Sequence, residues 1–407
     1  MRITFLSTSC LDDPSPRGRW LPLAQELAAR GHVVRLIMLH PTYDRLPAAL
    51  RRQERGGVVV YYAGQMHVYG PVDRRRYYGS AALLRVTLLA TLSLARAALQ
   101  FDADALHICK PQPMNGLAGM LAARRLGSPL YVDCDDYEAG GNRVGASWQR
   151  GLLRFWEDGL PPRAAAVTVN TRFLQRRCAE LGVPPARVTY VPNGIAADRL
   201  VAPDPRHVAG LRAALGLGDA PVAIYAGTLN EASHSVGLLL DAFALVARRL
   251  PEARLLLVGA GADREALIAR ARGLGLGERT IFVGYAPYGA VPAYLALASC
   301  SVDPVCDDAV AAARSPLKIV ESLAAGVPVV TGDVGDRREM LGDMAGVLVA
   351  PGSARSLADG IAWALADRGR RARRAAAARE RAAAYSWDRL AERWLRVYSG
   401  IVSTTQG

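Results

Sequence analysis

Short unbroken apolar runs alternate along this chain with longer segments whose apolar residues recur at every third or fourth position. The runs read as strands covered on both faces, and the spaced segments as helices packed over them. From the amino end the pattern predicts strand Arg2–Ser7, helix Leu21–Arg30, strand Val33–Leu39, a short β run Gly57–Ala63 and a long apolar helix Tyr77–Gln100. Strand Ala105–Cys109, helix Asn115–Leu126, strand Leu130–Cys134, helix Ser147–Trp156, strand Ala166–Asn170, helix Arg172–Leu181 and strand Val188–Val191 complete a first series. A polar connection over residues 196–220 leads to a second series. It comprises strand Val222–Ala226, helix Val236–Arg249, strand Arg254–Val258, helix Arg264–Leu274, strand Thr280–Val283, helix Val291–Ala298 and strand Ser301–Val305. Two alternating halves predict an α/β protein of two Rossmann-like domains, with parallel sheets facing across a cleft. The expected boundaries are 1–200 and 201–385, and residues 386–407 form a last helix.

The segment Arg314–Val330, RSPLKIVESLAAGVPVV, carries the most chemistry. Ser315 is a good helix cap and Pro316 suits the first helical position; Gly326 ends the helix before a strand. A helix start attracts phosphate through its free N–H groups and dipole. Lys318 and Glu321 share one face of that helix, so a cation for a diphosphate and a carboxylate for ribose hydroxyls lie side by side. Of 50 basic side chains only two, Lys110 and Lys318, are lysines, and each falls near a strand end or helix start.

Composition narrows the class. With 407 residues, 51% hydrophobic and 21% charged, the chain is long enough for two cores and is not a disordered one. Six scattered cysteines without metal spacing suggest reduced thiols, and the amino terminus enters a strand without a secretory pattern, so a cytoplasmic location is expected. The net charge is +13, most of it in residues 1–200. No nucleic-acid motif accompanies it, which leaves an anionic membrane surface as the expected partner. Arg74, Arg75, Arg76 and Arg85 beside the apolar Tyr77–Gln100 segment are its candidates, with an ordinary core helix as the alternative.

In their order and spacing, RGHVV at 30–34, VPNGI at 191–195, YAGTLN at 225–230, LLLVGAG at 255–261, FVGY at 282–285 and SPLKIVESLAAGVPVV resemble the GT-B-fold glycosyltransferases of retaining family 4, the glycosyl transferases group 1. The resemblance covers nearly the whole chain. It implies transfer of a sugar from a nucleotide-diphosphate sugar to an acceptor hydroxyl of a small molecule, glycan or lipid-linked sugar. It also implies a final helix that crosses back to the N-terminal domain, and no metal or cofactor. The donor site implied comprises Gly227, Thr228, His234, Gly259, Gly261, Tyr285, Arg314, Ser315, Leu317, Lys318 and Glu321. Glu321 is expected on the ribose, while Gly18 and Arg19 are expected near the acceptor. The chain departs from the family at Thr228 and His234, where two cations are usual, and at Ala313, where a carboxylate is usual. Asp135 matches the place of the family's catalytic-region histidine.

Within D133-C-D-D-Y-E138 the carboxylates Asp135 and Asp136 are candidates for acid/base work or sugar binding; a metal, or pairing with arginines, are the alternatives. His107 and Lys110 are candidate cleft residues, the alternative for His107 being a buried strand position. Gly259-Ala-Gly261 is not a dinucleotide fingerprint, because Arg264 takes the third glycine position. A nucleotide-sugar epimerase or hydrolase of the same fold, and a non-catalytic nucleotide-sugar-binding protein, stand beside the transferase as alternatives.

Overall fold

The computed structural model describes residues 1–71, 75–141, 147–366 and 368–402. Its contacts divide the chain into two compact units, residues 1–194 with the C-terminal helix, and residues 195–386.

The first unit is built on strands β1 (Arg2–Ser7), β2 (Val33–His40), β3 (Arg52–Arg55), β4 (Val58–Gln65), β7 (Ala105–Cys109), β8 (Leu130–Cys134), β9 (Ala166–Val169) and β10 (Val188–Tyr190), in the order β10-β9-β8-β7-β1-β2-β4-β3; a small pair, β5 (Val68–Tyr69) and β6 (Arg76–Tyr77), stands apart. All pairings in the large sheet are parallel except β3 with β4, which corrects the expectation of a purely parallel sheet. The cause is local. Gly56 and Gly57 both adopt positive φ, as a two-residue hairpin turn requires. Only the apolar half of this hairpin is legible in the sequence, because Arg52–Arg55 is an exposed polar edge.

Helix Ser80–Leu99 covers the sheet with Ala90, Leu94, Ala97 and Ala98 and packs on helix Pro113–Leu126. It is long and apolar enough to cross a membrane, by length and composition only. Its other face exposes Leu84, Leu88, Leu89 and Leu92. Helix Ser147–Arg163 runs a further two turns past the expected end at Trp156. The C-terminal helix Trp387–Val402 buries Trp387, Leu390, Trp394 and Tyr398 against this unit, and the Trp387 indole N–H donates to the Gly18 carbonyl at 3.0 Å.

The second unit holds strands β11 (Val222–Ala226), β12 (Arg254–Val258), β13 (Thr280–Gly284), β14 (Cys300–Asp303), β15 (Val329–Gly332) and β16 (Gly346–Val349), all parallel, in the order β13-β12-β11-β14-β15-β16. β16 was not anticipated. Helix Val236–Arg249 places Val236, Leu239, Leu240, Phe243, Val246 and Ala247 in the core, the spacing of a one-sided helix. Chain direction across the sheet reverses between β11 and β14. In open parallel sheets, ligands bind outside the carboxyl ends of the strands at such a switch point. In the first unit the same reversal lies between β1 and β7.

Candidate functional site

Each lysine sits at a switch point. In the second unit β14 ends at Asp303, whose buried carboxylate receives Lys318 Nζ at 3.1 Å, Arg337 Nε at 2.8 Å and the Thr331 hydroxyl at 3.1 Å. Burial acts to raise this acid, but Arg337 and Lys318 outweigh it and hold Asp303 well below the usual carboxylate range. Lys318 projects from helix Leu317–Ala324, with its ammonium 4.5 Å from the centre of the Tyr225 ring near the end of β11. Burial lowers the Lys318 ammonium despite the Asp303 partner. The helix starts at Leu317, one residue later than expected, with Pro316 rather than the buried Ser315 at its cap position.

His234 ends the short helix Glu231–His234. Burial first, then Lys318 and Arg314, push its imidazole well below the ordinary histidine value. It is therefore neutral at physiological pH and supplies a hydrogen-bonding group, not a charge. The Arg314 guanidinium donates to the Ser233 carbonyl next to it. Lys318 and Arg337 thus share a single carboxylate at the carboxyl end of the sheet, with Arg314 near enough to act on Lys318 and His234, a cation-rich group suited to phosphate.

Two glycines let the turns after β11 and β12 touch. A Cβ on Gly259, whose φ is +149°, would lie 1.9 Å from the Gly227 carbonyl oxygen; one on Gly261 would lie 2.1 Å from that of Leu229. Replacing Gly259 by alanine is expected to lower unfolding free energy by about 2–3 kcal/mol, through a strained φ and forced separation of two backbones. A chemical-denaturation midpoint measures it. A loss below about 1 kcal/mol would show that the turns can part freely.

One helical turn along from Lys318, Glu321 Oε1 receives Arg199 Nη2 at 3.0 Å, and the Tyr288 hydroxyl also bonds Glu321. Burial raises this acid; Arg199 and Tyr288 pull it back without cancelling the shift. Arg199 lies in the polar connection, and nothing in the local pattern singled it out. Tyr285 stands half exposed just past β13, and Thr228 is exposed.

In the first unit Lys110 follows β7 with φ +63°, a left-handed backbone that a lysine adopts at a cost. The Asn115 side chain fixes that turn by donating to the carbonyls of Leu6, Cys109 and Lys110. Lys110 Nζ lies 3.2 Å from Asp135, 2.8 Å from Asp136 and 3.1 Å from Glu138. These three carboxylates are close enough to ligate one metal ion, and the cation that lies between them is the ammonium of Lys110. Asp135 Oδ1 meets Lys110 as a charge contact without hydrogen-bond geometry. Burial raises the Asp135 acid to about 7, Lys110 offsetting part of that and Asp136 adding to it. Near neutral pH it can give or take a proton.

A separate cavity of about 390 Å³ in this unit is lined by Asp12, Arg17, His40, Gln53, Arg55 and Tyr62 among others. Nothing in the sequence pattern had grouped these residues.

Residues 211–381 match the family described as glycosyl transferases group 1, and residues 17–194 match the glycosyl transferase 4-like domain. The chain is a group 1 glycosyltransferase. It is similar to the phosphatidyl-myo-inositol mannosyltransferase of Mycobacterium leprae, 27% identical over 99% of this chain and 98% of that protein. It is 32% identical, over 62% of this chain and 66% of the relative, to the GDP-mannose-dependent alpha-(1-6)-phosphatidylinositol monomannoside mannosyltransferase of Mycobacterium tuberculosis. Its fold is shared with the sucrose-phosphate synthase of Thermosynechococcus elongatus (TM-score 0.79, 20% identity, all of both chains). It is also shared with Anabaena Alr3699/HepE solved with UDP-glucose (TM-score 0.74, 19% identity, 99% of this chain and 100% of that one). The glycosyltransferase is thus an enzyme that uses a nucleotide sugar.

Two expected cleft residues of this glycosyltransferase prove to be internal braces. Arg19 is fully buried and pairs with Asp133 through both Nε and Nη2, at 2.8 and 2.7 Å. It also donates through Nη1 to the Val191 carbonyl and the Asn193 side chain, tying helix and strand ends together. His107 is fully buried on the middle of β7, between Phe5, Tyr131 and Trp394, with Nδ1 3.0 Å from the Tyr398 hydroxyl; burial lowers its acid to about 3. Both are corrections: neither a cation before a helix nor an imidazole on a strand shows in its local pattern whether it reaches a cleft or is sealed inside. Gly18 lies in the tight helical turn Pro16–Trp20 that runs into helix Leu21–Ala29.

Proposed function

We propose that this glycosyltransferase moves mannose from GDP-mannose to a phosphatidylinositol-type lipid. The observation that carries the donor half is the group of Arg314, Lys318 and Arg337 with neutral His234 at the switch point of the second sheet. There the diphosphate would meet Lys318 and Arg314, near the start of helix Leu317–Ala324, and Glu321 would take the ribose hydroxyls. Lys318 and Arg314 stabilise the departing diphosphate, so the reaction proceeds without a metal ion and, as the family resemblance implies, with retention at the anomeric carbon. Thr228 and neutral His234 bring no charge to this site, and Arg314 and Arg337 stand in for the two cations usual at those places. Asp135 and Asp136 position the acceptor or the sugar, Asp135 being able to exchange a proton near neutrality. The polar cavity with Arg17 and Arg55 suits an anionic polyol head group.

Whole-length similarity to a phosphatidyl-myo-inositol mannosyltransferase supports a lipid acceptor and a peripheral place on the inner membrane face. The exposed leucines of helix Ser80–Leu99, with Arg76, Arg85 and Arg96, would rest on anionic lipid; Arg75 is instead tied to Asp13, and Arg74 lies outside the described residues. The test is mannose transfer from labelled GDP-mannose, with UDP-glucose in parallel, to vesicles with and without phosphatidylinositol. Labelled lipid only with GDP-mannose and phosphatidylinositol is the expected result. Free mannose released equally without acceptor would replace the transferase reading by hydrolysis.

A further inference from the structure

We propose that Arg199 is the positioning residue for Glu321, holding its carboxylate in the orientation and charge state that a ribose diol requires. The inference rests on the reading above, in which Glu321 receives the donor ribose. Arg199 belongs to the short helical turn Ala197–Leu200, 122 residues before its partner, and is only 7% exposed. Its guanidinium makes three contacts that lock one another. Nη2 meets Glu321 Oε1 at 3.0 Å, Nη1 donates to the Tyr288 carbonyl at 2.6 Å, and Cζ lies 4.0 Å from the centre of the Tyr288 ring. The Tyr288 hydroxyl returns to Glu321. Glu321 is thus gripped at one oxygen by the arginine and braced by a phenol whose ring the same arginine holds.

The chemistry explains why such a grip is needed. A vicinal diol donates two hydrogen bonds, and an ionised carboxylate accepts both, whereas a protonated one spends an oxygen as a donor. Burial drives Glu321 toward the protonated form, and Arg199 is the largest influence opposing it. Without Arg199 the acid rises further, so the carboxylate is lost at a higher pH than in the wild type. A residue that merely filled space would leave that pH dependence unchanged.

The experiment compares binding of GDP and of 2′,3′-dideoxy-GDP by calorimetry from pH 6 to pH 8, with UDP and its dideoxy form in parallel. The expected wild-type result is at least a tenfold preference for the ribose form across the range. Arg199→Met should weaken that preference, more at pH 6 than at pH 8, while Arg199→Lys should retain more of it. Equal binding of both forms by the wild type would remove the ribose reading of Glu321 itself. A wild-type preference that persists undiminished at every pH in Arg199→Met would overturn the role of Arg199 alone. Should Arg199→Met not fold, Arg199→Gln, which removes the charge but keeps a hydrogen-bond donor, carries the same comparison, and an unchanged preference at pH 6 overturns the proposal.

Discussion

Replacing Arg19 by methionine is expected to cost about 3–5 kcal/mol of unfolding free energy, because it strands Asp133 as a buried charge. Both side chains of the pair are fully enclosed. The remaining partners of Asp133, the Trp20 indole at 2.8 Å and the Thr168 hydroxyl at 2.7 Å, donate hydrogen bonds but no charge. The pH dependence gives a second signature. In the wild type burial would raise Asp133, yet Arg19 outweighs it and the acid is depressed, so the pair adds stability above the unfolded carboxylate range and loses it only in strong acid. Without Arg19 the acid rises above its unfolded value. The folded state then binds the extra proton, and stability falls as pH rises from about 4 toward neutrality. Urea midpoints for both proteins at pH 4.5 and pH 7.5 check this: the gap between them should widen with pH. A gap that stays constant would mean that the arginine acts through packing against Trp387 and Trp394 alone.

Lys318→Met is expected to lower turnover by about two to three orders of magnitude, the usual cost of removing a charge aimed at a developing anion. Its effect on folding should be small. Asp303 keeps Arg337 and Thr331, and the methionine fills the space beside Tyr225. That separation of activity from stability is what makes the variant informative. Lys318→Arg should restore only part of the rate, since the Lys318 Cε already lies 3.3 Å from where a Gly227 Cβ would sit, leaving little room for a guanidinium. Initial rates with saturating donor, together with a melting curve, decide it. Turnover within tenfold of wild type would place the diphosphate elsewhere.

These two arginine and lysine positions also mark where sequence reasoning works and where it stops. Strands such as Val222–Ala226 and Ala105–Cys109 are covered on both faces, so they leave unbroken apolar runs that are easy to read. The shared face of Lys318 and Glu321 follows from helical spacing alone. Arg199, Asp303 and Arg337 do not announce themselves, because each acquires its role from a partner remote in the chain. Arg19 and His107 fail for the converse reason. A cation before a helix and an imidazole on a strand look alike whether they face solvent or are sealed by Trp394 and Tyr398 from the far end of the chain. β16 and the extension of helix Ser147–Arg163 through Pro161 and Pro162 went unread, as tertiary contact overrides weak or contrary local preference there.

The pairing of one lysine with each sheet reversal has a practical corollary. Apart from the amino terminus, this enzyme carries just two primary amines, with side chains only 13% and 10% accessible. An acylating reagent therefore has almost nothing to modify elsewhere on the chain. Besides the amino terminus, the label falls on the very spots where substrate chemistry is proposed, and proteolysis at arginine, which acylation of lysine leaves intact, separates the two into distinct peptides for mass measurement.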